Sequence, residues 1–173
     1  ATTRVEARDF FNAIADASRS RLGEFDSQAL ANTAWAFATA GVEALDFFHA
    51  LADSSRSRLA EFNSQELANT AWAFACVDSK DARFFSELMG AAATQQPNDE
   101  GLSQLYVVSL HWRLEWPTLS FPEVESQQTL QRAYQRCEAE PSQLQRDVAA
   151  ALDRIGWAHV FEHRTAEGLS LDM

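Results

Sequence analysis

This sequence is poor in the residues that usually announce a chemistry. It has one lysine, Lys80, and its other fixed cations are arginines. With 25 acidic side chains against 14 basic ones, the formal net charge is −11, so a broad basic face for phosphates is not expected. Two cysteines, Cys76 and Cys137, are too few and too far apart for a disulfide framework or a zinc cluster, and they read as reduced core thiols. Six glycines and four prolines leave few breaks, and the abundance of Ala, Leu, Gln, Glu and Arg favours helix. No apolar run approaches the roughly 18 residues of a membrane span. No glycine-rich phosphate loop, nucleophile elbow or Ser/His/Asp grouping is visible, nor is a signal or transit peptide.

What is abundant is aromatic. Twelve Phe and five Trp in a chain that is 46% hydrophobic are enough for a sizeable core. They fall in a repeat. The stretch from Phe62 to Ala75 (FNSQELANTAWAFA) occurs earlier as Phe25 to Ala38 (FDSQALANTAWAFA), and the offset is 72 − 35 = 37 residues. Val5-Glu6-Ala7, Phe10-Phe11 and Ser18 to Leu22 recur at the same offset as Val42-Glu43-Ala44, Phe47-Phe48 and Ser55 to Leu59. A period of roughly 20–50 residues marks an array of supersecondary units.

Each unit reads as two helices. The first runs over 5–22 and again over 42–59, where Leu45, Phe48, Leu51, Ala52, Ser55 and Leu59 make one apolar or small face. The second begins at Asn63 or Ser64, with Asn63 and Glu66 at capping-box spacing. Leu67, Ala68, Ala71, Trp72 and Ala75 are expected to face inward, with Trp72 filling the gap between neighbours. Gly41 stands where the first unit must turn, and Asp78 replaces it in the second. The expected fold is therefore mainly α: an α-solenoid of 37-residue helix pairs with a short C-terminal partial β-hairpin.

The repeat array is placed at 1–115, with good units at 5–41 and 42–78 and a degenerate third at 79–115. Phe84-Phe85 keeps the register of Phe47-Phe48, and a polar loop over 91–101 interrupts it. Trp116-Pro117 ends that helix, so 116–140 reads as a linker and a helix near 125–138. A further helix over 143–155 stops at Gly156. Alternation over 158–163 and 169–173 around Ala166-Glu167-Gly168 reads as a hairpin cut short at Met173.

The Ser-Gln-x-Leu-Ala-Asn-Thr-Ala-Trp-Ala-Phe-Ala helix in its 37-residue unit resembles the octotricopeptide-like and FAST-kinase-like helical repeats of organellar RNA-processing proteins. Residues Ser142 to Val148, Ile155-Gly156-Trp157, Glu162-His163 and Gly168 to Asp172 resemble the lead-in to a RAP domain, so 141–173 is an incomplete RAP-like segment. The resemblance implies a solenoid that binds single-stranded RNA in a plastid or mitochondrion, followed by a nuclease-like domain. In the family a third strand carries an acidic-Asp-Gly-Pro stretch and then a His, and neither is present here. Asp172 matches the family's first strand-borne acid, but its partner carboxylate is missing. A metal-dependent nuclease needs at least two acidic ligands, so the expectation is a non-catalytic chain with no metal and no cofactor.

Binding candidates follow from repeat position. Arg19, Arg21, Arg56 and Arg58 would line up in a stacked array, either to capture phosphate or carboxylate or to sit as solvated cations at helix C-terminal ends. Asn32, Thr33, Asn69 and Thr70 are polar positions on Ala-rich helices, suited to reading bases or to hydrogen bonds between helices. Gln28 and Gln65 share that ambiguity near helix N-termini. Trp35 and Trp72 are assigned to the core rather than to base stacking. Trp112, Trp116 and Trp157 read as cap or interface residues. His159 and His163 lack the neighbours a metal site needs. Two functions result: an organellar protein binding single-stranded RNA, placed first on the resemblance, or a scaffold subunit making protein–protein contacts in an organellar assembly. No small-molecule substrate is indicated. An arginine-lined inner face would favour RNA, and an apolar or acidic one a protein partner.

Overall fold

A computed structural model describes residues 2–122, 124–137, 151–156, 162–164 and 170–172. The chain divides into two compact units, Ala1–Tyr134 and Gln135–Met173. It is mainly helical, and the first unit is built from packed helices. These are α1 (Thr2–Ser18), α2 (Ser27–Thr39), α3 (Leu45–Arg56), α4 (Ser64–Cys76), α5 (Ala82–Ala93), α6 (Asp99–Glu115) and α7 (Gln127–Arg136). Short 3-10 segments, Arg19–Glu24 and Leu59–Glu61, follow α1 and α3. No helix among the described residues is long and apolar enough to cross a membrane.

Side-chain caps set where the second helices start. Asp26 accepts from the Ala29 N–H at 2.7 Å, and Asn63 from the Glu66 N–H at 2.9 Å. Glu66 returns a bond to the Asn63 N–H, completing the capping box. The ends are equally regular. After α2 the Val42 N–H reaches Phe37 O and the Gly41 N–H reaches Ala38 O. After α4 the Ser79 N–H reaches Phe74 O and the Asp78 N–H reaches Ala75 O. This double closure needs a left-handed residue, supplied by Gly41 at φ 64° and by Asp78 at φ 56°. It also explains why α3 starts at Leu45 rather than Val42: Val42 is buried in closing the turn.

Phenylalanine carries the core. The Phe37 ring lies 4.9 Å from Phe11, 4.8 Å from Phe47 and 6.5 Å from Phe48. The Phe74 ring lies 5.0 Å from Phe48, 4.9 Å from Phe84 and 6.5 Å from Phe85. Two backbone carbonyls are tied in the same way: Arg58 Nη1 donates to Phe25 O at 2.6 Å, and Gln95 Nε2 to Phe62 O at 2.7 Å. Alongside these contacts α2 packs against α4, and α4 against α6.

Two expectations about orientation are corrected. Leu45 is exposed, and the buried face of α3 is Phe47, Phe48, Leu51, Ala52 and Ser55. Trp35 is 43% exposed and Trp72 is half-buried, so neither plugs the core. The reason is helical phase. Leu30, Ala34 and Phe37 (i, i+4, i+7) take the core side of α2, and Trp35 follows Ala34 by one position, about 100° around the helix.

The far end of the first unit is closed by aromatics. Trp112 Nε1 donates to Leu119 O at 3.1 Å, and the Trp112 and Trp116 rings lie 4.9 Å apart. α7 buries Leu130 and Ala133, and Gln127 Nε2 donates to Ser109 Oγ at 3.0 Å. In the second unit, residues 151–154 are helical and end at Gly156, φ 69°. Strands β1 (Glu162–Arg164) and β2 (Ser170–Asp172) pair antiparallel, His163 opposite Leu171. The rest of the expected helix over 143–155, the strand ends and most of the RAP-like lead-in lie outside the described residues.

One difference between the α3 and α5 starts yields a prediction. Asp81 caps α5, accepting from the Phe84 N–H at 2.9 Å, whereas Ala44 at the matching place on α3 has no side-chain bond. The two residues share nearly the same backbone, φ −82° with ψ 68° and 76°. Ala44→Asp is expected to stabilise the protein by about 1 kcal/mol in urea unfolding. An unchanged midpoint would show that this start needs no cap.

Candidate binding surface

The four arginines do not form a free stripe. Arg56 is part-buried and donates to Asp81 Oδ2 at 2.8 Å, with Glu87 Oε2 3.3 Å from Nη1 and the Phe84 ring 5.5 Å from its guanidinium carbon. Glu87 Oε2 and Arg56 Nε make no hydrogen bond, so the Glu87 contact is ionic proximity only. Arg58 holds Glu61 through Nε and Nη2 while Nη1 reaches Phe25 O. Arg21 pairs with Glu24, and that hydrogen bond above all raises its pKa. Arg19 is exposed and borders a polar cavity of about 510 Å³ that it shares with Asn12, Asp16, Glu43 and Asp46. Arg21, Arg56 and Arg58 are thus held by nearby acids or backbone, Arg19 only lines the cavity, and none of the four sits on the faces of α2 and α4.

Those second helices carry a different stripe. On α2, Gln28, Asn32 and Trp35 are all exposed and fall at i, i+4 and i+7, one side of the helix. On α4 the same positions are Gln65, Asn69 and Trp72, all half-buried, with Cys76 next in line. In α6 the start shifts, since its cap Asn98 lies 98 − 63 = 35 residues after Asn63, and Gln104 takes the place of Asn69. The amides interlock. Gln65 Nε2 donates to Asn69 Oδ1 at 3.0 Å and to Gln104 Oε1 at 3.3 Å, and Gln104 Nε2 donates to Asn69 Oδ1 at 2.8 Å.

Among the described residues this leaves the Asn69 amide nitrogen, and both amides of Gln28 and Asn32, without a protein partner. Thr33 is half-buried, and Thr70 is buried with its hydroxyl donating to Glu66 O at 2.7 Å, so Thr70 reads nothing outside. Sequence reasoning missed the two tryptophans and Gln104. The phase of Gln28, Asn32 and Trp35 against Leu30, Ala34 and Phe37 was the available signal for the tryptophans. Gln104 was hidden by the change of offset.

Both cysteines are free and lie at the surface rather than in the core. Packing around the Cys76 sulfur nevertheless desolvates it and pushes its pKa up to about 11 from 9.0. The folded thiol keeps its proton to higher pH than the unfolded one. Its contribution to stability is therefore complete below about pH 9 and lost as pH rises toward about 11. At pH 8, iodoacetamide is expected to alkylate Cys76 on the order of 100-fold more slowly in the folded protein than in urea. Equal rates would mean that the thiol is fully solvated.

No group of metal-ligating side chains occurs among the described residues. Comparison with family models, with curated proteins and with solved structures finds no match to this chain.

Proposed function

We propose that the helix pairs stack as a short α-solenoid and that this non-catalytic scaffold binds an extended, basic polypeptide segment along the second-helix face. The stripe repeated on α2 and α4, an amide pair beside an indole with no arginine among them, carries the reading. Each part suits that ligand. Side-chain amides bond both N–H and C=O of an extended backbone. Indole faces attract the cations and cover the aliphatic stems of Lys and Arg. A net charge of −11 draws a basic chain in and repels an acidic one. Packed helices sit about 10 Å apart and a strand advances about 3.3 Å per residue, so neighbouring helices would address side chains roughly three residues apart.

Single-stranded RNA is the second reading, favoured by the same tryptophans and amides, since bases stack on indoles and bond to amides. Against it, Arg56 and Arg58 are occupied within the fold and supply no phosphate contacts. The deciding experiment follows tryptophan fluorescence as the chain is titrated with an extended Lys/Ala/Gly peptide of about ten residues, or with pools of short single-stranded RNA, at low and high salt. Peptide binding that weakens with salt supports the proposal. RNA binding without peptide binding replaces it with the second reading, and a silent titration with both removes the surface as a binding site.

A further inference from the structure

The leading edge of the first helix pair repeats a set of contact groups that is used twice inside the molecule. At the first internal junction the Phe37 ring packs on Phe47 at 4.8 Å, and Arg58 Nη1 donates to Phe25 O at 2.6 Å. At the second, the Phe74 ring packs on Phe84 at 4.9 Å, and Gln95 Nε2 donates to Phe62 O at 2.7 Å. Each junction thus buries a leading Phe, both at 0% exposure, and fills one side-chain donor with the carbonyl of the preceding pair's turn.

At the offset of 37 residues the corresponding groups on the first pair are Phe10 and Arg21. Phe10 is 63% exposed. Arg21 uses Nε and Nη2 on Glu24, just as Arg58 uses Nε and Nη2 on Glu61. Its remaining nitrogen, Nη1, which in Arg58 makes the junction bond, has no acceptor among the described residues. The Arg21 side chain is 66% exposed, against 25% for Arg58.

We propose that this edge of α1 is a docking face for one further helix pair of the same build. That pair's second helix would set a Phe ring on Phe10, and its turn would give a carbonyl to Arg21 Nη1. The inference rests on the stacking part of the reading above and is independent of what the second-helix face binds. A second copy of this chain does not fit. Its last pair has Ser109 where Phe74 would stand, since 74 + 35 = 109, and Ser109 is covered by Gln127 of α7.

The test extends the chain by a second copy of residues 5–41 placed ahead of Val5, which keeps the 37-residue register. The extended protein is expected to melt roughly 5–10 °C higher than the native chain. Phe10→Ala, nearly silent in the native chain, should then lower the extended protein's Tm as much as Phe47→Ala lowers the native one. Arg21→Ala should likewise become costly only after extension. If Phe10→Ala stays silent in the extended protein while Phe47→Ala is damaging in the native chain, the docking face is refuted and the stacking stands. If Phe47→Ala is itself silent, stacking and docking both fail. Sedimentation of the native chain supplies the last arm: a monomer is expected, and a dimer abolished by Phe10→Glu would overturn the proposal in favour of self-association.

Discussion

Replacing Phe74 by alanine is expected to cost about 3–5 kcal/mol, the range for deleting a fully buried aromatic. Phe74 is 1% exposed and touches Phe48 on its own pair and Phe84 and Phe85 on the next. The rings that touch it, Phe48, Phe84 and Phe85, are themselves fully buried and close-packed, so the cavity would persist. For a chain of this size the loss corresponds to a fall in Tm of roughly 10–15 °C. Thermal and urea unfolding followed by circular dichroism would measure it. A loss under about 1 kcal/mol would mean that the rings do not hold successive pairs together.

Trp35→Ala with Trp72→Ala should do the opposite: leave much of the stability in place and remove binding. Trp35 is 43% exposed and Trp72 half-buried, and neither belongs to the fully buried core, so their loss removes only peripheral packing. Each indole in contact with a desolvated cation contributes about 1–2 kcal/mol, and the pair together on the order of 100-fold in affinity for the basic peptide. Binding constants and urea midpoints measured on the same samples separate the two effects. An unchanged peptide affinity would detach the tryptophans from the proposed surface. A collapse in stability equal to that of Phe74→Ala would return them to the core.

How far residue pattern alone reached can be traced through these two side chains. The 37-residue offset, the Asn63 capping box and the turns at Gly41 and Asp78 were legible because caps and left-handed turns depend on neighbours within a few residues. The Phe pairs were legible as repeat markers. Trp72 was misassigned because an Ala-rich helix is apolar on nearly every side, and hydrophobicity alone cannot fix its phase. The fates of Arg56 and Arg58 were not legible either. Their partners, Asp81 and Phe25 O, lie 25 and 33 residues away in sequence, and one of them is a backbone atom that no residue type advertises.

That last contact has a consequence for how such a molecule can change over time. At each junction one tie ends on a main-chain carbonyl, Phe25 O or Phe62 O, and every amino acid has one. A substitution on the receiving side therefore cannot delete the acceptor. On the giving side two unlike residues, Arg58 and Gln95, already do the same job. Neighbouring pairs are thus free to drift apart in their outward-facing side chains without losing their grip on each other, and new recognition surfaces can be tried on an unchanged frame.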